Sequence, residues 1–294
     1  MATSTASPRS DLARGAGLVA GAALVLLMAA APARAQLARG PVVYGHHHLT
    51  VTDVAAHKKF WVDGLGGTAA RLGTSEAVTF SNVVVLLRQG APAGGTKGTS
   101  VNHVGFTVPD IRATLARVRA AGFADVTKAE APPSAIVADG VATNAAGTSA
   151  VAFLMAPDGV KVELTEAKGQ PMAITLHHLH FYTNQVEAMK AWYVRTFGAQ
   201  AGMRGSFQAA DLPGVNLTFS PSSEATAGTK GRALDHVGFE VKDLEAFCKR
   251  LEAAGVVFDR PYAKNATLGI GLAFFTDPFG TYIELTEGLG AAVK

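Results

Sequence analysis

Four segments of the chain share one pattern of hydrophobic and polar positions. Each opens with alternating apolar and polar side chains, continues through a stretch with apolar residues at helical spacing, and closes with short β-rich runs. Alternation is typical of a half-buried strand, and recurrence at i, i+3 and i+4 is typical of an amphipathic helix. The pattern therefore predicts four β-α-β-β-β units. They begin at YGHHHLTV (Tyr44), SVNHVGFTV (Ser100), TLHHLHFYT (Thr175) and ALDHVGFEV (Ala233).

Polar signals bound the helix of every unit. A carboxylate or amide residue stands just before each helix, where it can accept free N–H groups of the first turn. A glycine stands just after each helix, as is common at helix C-termini. The residues before the helices are Asp53, Asp110, Gln185 and Asp243, and the glycines are Gly66, Gly122, Gly198 and Gly255.

The four units form a duplicated pair. The spacing from His46 to His178 is almost the same as the spacing from His103 to His236. The stretch AKGQPMA between the copies is polar and contains Gly and Pro, which indicates a linker. A whole two-unit segment has therefore been repeated along the chain.

The duplication predicts two domains. We place an N-terminal domain over residues 42–167 and a C-terminal domain over residues 174–288, each built from two consecutive units. The first copy is longer, and its extra residues fall between Lys128 and Ala150. This region is predicted to be a long loop, either a lid over a site or plain surface.

Composition narrows the functional classes. Hydrophobic residues make up 48% and charged residues 17% of the chain, which favours a folded globular protein. The formal net charge is +3 and no long Lys/Arg run is present, so no nucleic-acid partner is expected. The single cysteine, Cys248, cannot form an internal disulfide, so stability must come from the core.

The first residues have the features of an export signal. An apolar run from Leu18 to Ala31 follows two arginines and precedes the small-residue site Ala33-Arg34-Ala35. We predict a signal peptide over residues 1–35, cleavage between Ala35 and Gln36, and a periplasmic or secreted protein without membrane contact after cleavage. The alternative is an uncleaved N-terminal anchor.

Histidine and glutamate recur at fixed places in the units. A histidine occupies the equivalent position of every first strand, and a glutamate flanked by apolar residues lies in the last strand of the second and fourth units. A carboxylate on a central strand is costly unless it is paired or bound to a cation. Two histidines and one glutamate can hold a divalent metal and leave positions open for substrate. The alternative for any single histidine is a structural, hydrogen-bonded role. The predicted ligands are His46, His103, Glu163, His178, His236 and Glu284.

Neighbours on the same strand face are candidates for catalysis. Because side chains i and i+2 share a face, His48 lies beside His46, and His180 and Tyr182 lie beside His178. A neutral imidazole there can act as a general base, and a phenol can hydrogen-bond the substrate. The alternative is simple packing against the strand ladder. His47 and His177 are predicted to face away, and Arg204 to be a solvated loop charge.

The motifs NHVGFTVPDI, DHVGFEVKDL, APDGVKVELTE and DPFGTYIELTE resemble the vicinal oxygen chelate superfamily, which includes glyoxalase I, bleomycin and fosfomycin resistance proteins and extradiol dioxygenases. The resemblance spans about residues 42 to 288. It implies an α+β fold in which units pair into two tandem eight-stranded cups, with metal ligands from first and last strands. Carried over, it implies His46, His103 and Glu163 in one cup, and a second set in the other. That second set is His178, His236 and Glu284, and the C-terminal cup is favoured if only one is active.

The resemblance implies an exported, metal-dependent enzyme acting on a small oxygen-rich substrate. The metal would be Fe2+, Mn2+, Zn2+ or Ni2+. The fourth ligand typical of glyoxalase I falls near Val85 or Thr218. Extradiol enzymes usually add a His and a Tyr upstream of the final Glu, but the stretch YAKNATLGIGLAFFTDPFG has no His and its only Tyr, Tyr262, lies far upstream. We therefore favour lyase or isomerase chemistry. The alternatives are an Fe(II)-dependent dioxygenase and a metal-free protein that sequesters a ligand, and a homodimer is one arrangement the pattern allows.

Overall fold

The computed structural model describes residues 36–294, so the predicted signal peptide lies outside the described residues. The fold is α+β, as predicted, with one sheet of eight strands and one of nine. In the part of the chain that the structure describes, no helix has the length and apolar character that a membrane span requires.

The strands follow the predicted alternation. The first unit contains β1 (Val42–Val51), β2 (Thr68–Leu72), β3 (Ser75–Thr79) and β4 (Val84–Gln89). The second contains β5 (Val101–Val108), β6 (Ile136–Ala138), β7 (Val141–Thr143), β8 (Ala150–Ala156) and β9 (Val160–Glu166). The third contains β10 (Thr175–Thr183), β11 (Gln200–Arg204), β12 (Phe207–Leu212) and β13 (Val215–Pro221). The fourth contains β14 (Leu234–Val241), β15 (Phe258–Asn265), β16 (Ile270–Thr276) and β17 (Tyr282–Glu287).

The main helix of each unit begins and ends at the predicted signals, and two short helices that were not predicted lie at Thr127–Glu130 and Leu289–Ala292. The helices are α1 (Val54–Lys58), continued by a π-helical turn over Lys59–Gly64, α2 (Ile111–Ala120), α3 (Thr127–Glu130), α4 (Val186–Phe197), α5 (Leu244–Ala253) and α6 (Leu289–Ala292). The carboxylates of Asp53, Asp110 and Asp243 accept first-turn N–H groups, whereas the side chain of Gln185 makes no cap bond. The four glycines after the helices all have positive φ, a conformation that glycine adopts without strain.

Each sheet joins units from opposite halves of the chain. In the first sheet β1 pairs antiparallel with β14, so the first and fourth units form one cup. In the second sheet β5 pairs antiparallel with β10, so the second and third units form the other. The prediction that each half closes its own cup is therefore wrong. Alternation and caps are local signals shared by all four units, and they do not specify which strand edges meet.

The units of one half meet across the helices instead. A large apolar core lies between the two sheets. There the ring centroids of Trp61 in the first unit and Phe106 in the second are 6.2 Å apart. His57 is 3.1 Å from the carboxylate of Asp158. In the other half the Tyr193 hydroxyl donates to Asp277 at 2.9 Å. Every unit thus pairs in a sheet with a unit of the opposite half of the chain, and packs in the core against the other unit of its own half.

The region from Lys128 to Ala150 is more ordered than a loop. It contains part of α3 and the hairpin of β6 and β7, which extends the second sheet to nine strands. The Thr127 hydroxyl donates to the carbonyl of Gly140 at 2.7 Å and ties this hairpin to the sheet. The predicted long loop therefore contains a short hairpin that extends the sheet.

Candidate metal centres

Two buried clusters of histidine and glutamate lie on the concave faces of the sheets. The first cluster contains His46, His236 and Glu284 on the eight-stranded sheet. The second cluster contains His103, Glu163, His178 and His180 on the nine-stranded sheet. In each cluster one potential ligand atom per residue lies within 4.8 Å of all the others.

The ligand atoms of the second cluster face one another around Glu163. Its Oε2 lies 3.0 Å from His103 Nε2 and 3.7 Å from His178 Nε2. His180 Nδ1 lies 3.2 Å from His103 Nε2. Among residues 36–294, His178 Nε2 has no hydrogen-bond partner although it is buried. Such an orphaned nitrogen, aimed at a carboxylate and two imidazoles, fits a cation better than a closed hydrogen-bond network.

The outer atoms of the same residues are held by neighbours. His103 Nδ1 is 2.9 Å from the Asn102 amide oxygen, and His180 Nε2 is 2.8 Å from Ser220 Oγ. Glu163 Oε1 accepts from Thr165 Oγ1 and from Arg204 Nη2, both at 3.1 Å. Outer contacts of this kind fix ring orientation and aim the inner atoms of metal ligands.

The electrostatics of the second cluster keep its histidines uncharged. Burial lowers the pKa of His103, and it lowers the pKa of His178 to about 4. Burial and the neighbouring His103 lower the pKa of His180 to about 2. Burial works to raise the pKa of Glu163, but His178 and His103 outweigh it and hold that pKa well below its ordinary value. At neutral pH the set is three neutral imidazoles and a carboxylate, which is the ligand form of each group.

The first cluster is simpler. Glu284 Oε2 lies 2.9 Å from both His46 Nε2 and His236 Nε2. His236 Nδ1 is 2.7 Å from the Asp235 carboxylate, whereas His46 Nδ1 is buried with no hydrogen-bond partner in the described chain. Two histidines and one carboxylate form a three-ligand set of the kind that non-haem Fe(II) enzymes use.

His236 differs electrostatically from its counterparts in the second cluster. Burial works to lower the pKa of His236, but hydrogen bonds to Asp235 and Glu284 outweigh it, so its pKa is raised. The raised pKa of His236 favours its protonated form, which opposes cation binding to the first cluster, whereas the lowered pKa values of the histidines of the second cluster favour their neutral, ligand form.

A glycine makes room for one histidine in each cluster. Gly105 lies opposite His178 across the β5–β10 ladder, and a β-carbon there would overlap the imidazole. Gly238 has the same relation to His46. These glycines stand two residues after His103 and His236, so the motif His-x-Gly supplies both a ligand and the space for the partner ligand.

The two concave faces differ in polarity. The first unit has Leu72, Val84 and Leu86 at three positions. The third unit has Arg204, Asn216 and Thr218 at the equivalent positions. In the first cup Leu72, Val84 and Leu86 join an apolar cluster that also contains the C-terminal residues Leu289 and Val293. Leu289 is fully buried and Val293 is 5% exposed. The chain's own C-terminal segment therefore covers part of the first concave face.

The structure regroups the predicted ligands. His46 lies with His236 and Glu284, and His178 lies with His103 and Glu163, so the grouping by halves is wrong. For the same reason neither cluster belongs to the C-terminal half alone. Each antiparallel pair of first strands, rather than each half, brings two histidines together.

The predicted catalytic helpers take different positions. His180 falls among the potential ligands of the second cluster, and its low pKa makes it a poor base at neutral pH. His48 packs edge-on against His236 with ring centroids 4.6 Å apart, and burial lowers the pKa of His48 to about 3. The half-buried ring of Tyr182 lies 5.2 Å from that of His180.

The residues predicted to face away behave differently from one another. His47 packs against Trp61 and Phe106 in the core between the sheets, as expected. His177 is half-buried, and its Nδ1 lies 3.0 Å from His178 Nδ1, so it supports a ligand. The site-facing residue of β4 is Leu86, paired with His48, whereas Val85 belongs to the core.

Several supporting residues were missed by sequence reasoning. Asn102 and Asp235 precede the equivalent histidines, so the repeat is the signal that could have found them. Ser220 and Arg204 do not recur in the first unit, which has Arg88 at the position of Ser220 and Leu72 at the position of Arg204. The repeat therefore gives no signal for these two residues. The prediction of Arg204 as a solvated charge is wrong, because it is 21% exposed and paired with Glu163.

The family follows from comparison of the sequence. The profile described as Glyoxalase/Bleomycin resistance protein/Dioxygenase superfamily matches residues 43–164 and 175–285. The chain belongs to this superfamily. No curated protein sequence matches the chain.

Solved structures share the superfamily fold. Glyoxalase I from Zea mays aligns with a TM-score of 0.66 at 16% identity, over 85% of this chain and 94% of that one. A mutant of the same maize enzyme gives a TM-score of 0.67 at 16% identity, over 85% and 94% of the two chains. A Bacillus subtilis protein provisionally called a dioxygenase aligns with a TM-score of 0.60 at 12% identity, over 86% of each chain. At these identities the likeness shows the fold alone.

The donor atoms of both clusters fit the divalent cation that this superfamily typically holds. The ligand types are imidazole and carboxylate and the inner atoms converge, and in the second cluster the inner Nε2 of His178 lacks a partner among the described residues. The second cluster offers four such groups with their outer atoms held, and the first offers three.

Proposed function

We propose that the chain is a metal-dependent enzyme that performs lyase or isomerase chemistry on a small oxygen-rich substrate at the second cluster. His103, Glu163, His178 and His180 would hold a divalent cation, which when bound would polarise substrate oxygens as a Lewis acid. The first cluster is the lesser candidate for this reaction, because the C-terminal segment covers part of its cup.

The number of protein ligands carries the choice of reaction. Four protein ligands, one more than the first cluster offers, would leave room on the cation for substrate oxygens and less room for dioxygen. A lyase or isomerase needs only the substrate there. Dioxygen activation beside a chelated substrate needs a third position.

The remaining side chains of the second cup position the substrate. Burial, followed by the charge of Glu163, raises the pKa of Tyr182, so its hydroxyl keeps its proton and can donate to a substrate oxygen. Phe153 and Phe207 provide apolar walls. The ring centroid of Phe153 is 6.0 Å from that of His103, and the ring centroid of Phe207 is 5.2 Å from that of His180. The face therefore combines polar groups with flat apolar surfaces.

Metal analysis of matched variants tests the location. Wild type, Glu163→Gln and Glu284→Gln are loaded with Zn2+, Ni2+, Mn2+ or Fe2+, and bound metal is measured per chain. We expect Glu163→Gln to lose metal from the second cluster and Glu284→Gln to retain it there. If no metal binds wild type under any loading, the enzyme proposal is wrong and the metal-free, ligand-sequestering role takes its place.

Turnover with an oxygen electrode tests the reaction class. The substrates are α-hydroxy ketones, thiol adducts of 2-oxo aldehydes, 2-hydroxy acids and catechols. We expect product without oxygen consumption, lost in Glu163→Gln and kept in Glu284→Gln. Oxygen consumption stoichiometric with product would overturn the lyase or isomerase assignment.

A dioxygenase is the second candidate, and it belongs to the first cluster. His46, His236 and Glu284 form a three-ligand set, which leaves positions for both substrate and dioxygen. Oxygen consumption by the Fe2+ form that persists in Glu163→Gln and disappears in Glu284→Gln would support it.

We also propose that residues 1–35 direct export. The apolar run and the small residues before Gln36 support this. Fractionation of expressing cells, followed by N-terminal sequencing, should find the mature chain outside the cytoplasm and beginning at Gln36. A cytoplasmic chain beginning at its first residues would contradict the proposal.

A further inference from the structure

Arg204 is a mostly buried guanidinium with most of its donors unpaired. It ends β11 at the tip of the β11–β12 hairpin, and its Nη2 donates to Glu163 Oε1 at 3.1 Å. Within residues 36–294 this is its one hydrogen bond, although its side chain is only 21% exposed. A guanidinium presents several N–H donors in a planar fork, so further donors remain for another acceptor.

We propose that Arg204 binds a carboxylate of the substrate, which makes the substrate of the second cup a small 2-hydroxy- or 2-oxocarboxylate. This inference rests on the function proposed for the second cluster. The planar fork of arginine matches a carboxylate with two parallel hydrogen bonds, which gives both affinity and orientation.

The position of Arg204 sets where the carboxylate lies in the substrate. The guanidinium touches Oε1 of Glu163, while Oε2 of the same carboxylate faces His103 and His178. One carboxylate group therefore separates Arg204 from the inner atoms of the cluster. A substrate anion at Arg204 lies within a few bonds of the oxygens at the cluster, as in a 2-hydroxy acid.

The fold itself does not require an arginine there. The equivalent position of the first unit is Leu72, which packs in the apolar cluster of the first cup. The other cation of the second concave face, Lys161, already pairs with Glu130 at 2.8 Å and lies over the Phe153 ring. The Lys161 side chain is also only 7% exposed, against 21% for Arg204, so Arg204 is the more accessible cation of this face.

An apolar wall stands beside the arginine. Phe207 pairs with Arg204 across the hairpin, is 40% exposed, and rests its ring 5.2 Å from that of His180. A substrate whose carboxylate reaches Arg204 can lay an aliphatic chain along Phe207. This favours 2-hydroxy acids with an apolar tail over lactate-sized ones.

Calorimetric titration with an acid and its neutral isostere tests the proposal. The probes are 2-hydroxyhexanoate and 2-hydroxyhexanamide, titrated into the Zn2+-loaded and metal-free forms of the full chain. The proteins are wild type, Arg204→Leu, Arg204→Lys and Arg112→Leu. Arg112 is an exposed arginine paired with Asp139 on another surface, and it controls for net charge.

We expect wild type to prefer the acid, and Arg204→Leu to weaken acid binding by about 10- to 100-fold while amide binding is unchanged. Arg204→Lys should fall between them because it keeps the charge without the fork. Arg112→Leu should match wild type. Equal weakening of acid and amide, no weakening of either, or no preference of wild type for the acid would overturn the proposal.

Two further measurements separate the causes of failure. Unfolding midpoints show whether Arg204→Leu folds, and if it does not, Arg204→Lys still discriminates because it leaves Glu163 paired with a cation. Bound metal per chain reports on the proposed function independently. Metal binding without an Arg204 effect overturns the carboxylate site alone, whereas an Arg204-dependent acid preference without metal overturns the proposed function alone.

Discussion

Gly238 faces the imidazole of His46 so closely that a β-carbon at residue 238 would overlap the ring. Gly105 and His178 repeat this relationship in the other sheet. Neither glycine has a positive φ, so space rather than backbone conformation requires glycine at these two positions.

Alanine at either glycine should therefore empty one cluster. We expect Gly105→Ala to displace His178 and remove metal from the second cluster, and Gly238→Ala to displace His46 and remove it from the first. Overpacking of this kind costs about 1–3 kcal/mol of stability. Bound metal per chain and urea unfolding measure both effects. Gly202→Ala is the control, because a β-carbon there meets only the Asp211 carboxylate, at 4.0 Å; metal retained in Gly105→Ala would contradict the account.

Removal of the C-terminal segment should expose the first cluster. A chain ending at Gly288 lacks Leu289 and Val293, which cover the concave face, and the pairing of Lys294 with Arg71. In a Glu163→Gln background we expect faster metal loss to a chelator, since only the first cluster holds metal there. In a Glu284→Gln background the same truncation should leave the rate unchanged, and equal acceleration in both backgrounds would count against a local cover.

The cover can also be weakened without truncation. Leu289 is fully buried, so Leu289→Ala should destabilise the chain by about 2–4 kcal/mol. Val257 is 84% exposed, and Val257→Ala should change stability by less than about 0.5 kcal/mol. Urea unfolding of both variants gives the comparison, and a Leu289→Ala effect no larger than that of Val257→Ala would show that the segment is not packed.

Tyr44 and His47 form a buried polar pair that the third unit lacks. The hydroxyl of Tyr44 is 3.3 Å from His47 Nδ1, and His47 Nε2 has no partner among the residues described, whereas the equivalent positions of the third unit hold Leu176 and Leu179. We expect His47→Leu alone to change the free energy of unfolding little. It removes a buried imidazole with an unpaired nitrogen, but it also leaves the Tyr44 hydroxyl without its partner. The double variant Tyr44→Phe/His47→Leu should be more stable by about 1–3 kcal/mol. A double-mutant cycle by urea unfolding measures the difference, and a double variant no more stable than wild type would refute it.

Asp277 should make stability depend on pH. Burial raises the pKa of its carboxyl from 3.8 to about 6, even though it accepts from Tyr193 and from the backbone of Phe279 and Thr281. Because the folded pKa is raised, stability is lost as pH rises from about 4 through 6. Between pH 4 and pH 7, the free energy of unfolding of Asp277→Asn should rise relative to that of wild type by on the order of 3 kcal/mol. Unfolding free energies at several pH values test this, and a pH-independent difference would contradict it.

Much of the local structure is readable from the sequence because its signals are local. The alternation in HHHLTV and HHLHFYT places His46 and His178 on the site-facing side of their strands, and His47 on the opposite side. The carboxylates of Asp53, Asp110 and Asp243 mark helix starts. The repeat also singles out Glu163 and Glu284 as buried carboxylates on last strands. These inferences need only the neighbouring residues or a comparison of one unit with another.

The pairing of units and the contacts of Arg204 are not readable in the same way. All four first strands carry the same pattern, so nothing local distinguishes the edge of β14 from that of β5 as a partner for β1. Arg204 meets Glu163 only because the β11–β12 hairpin folds over a sheet shared by two units. Likewise, the burial of Leu289 and Val293 depends on an apolar face built from the first and fourth units.

The exchange of units between sheets has a consequence for synthesis on the ribosome. The strands of the second sheet lie within residues 101–221, and they are complete before β14 is made. β1 emerges first, yet its antiparallel partner begins at Leu234, so its histidine face stays without that partner until the last unit follows. Closing so long a loop is entropically slow. We therefore expect the second cluster to form as soon as residues 101–221 are free to fold, and the first only once the last unit is also available.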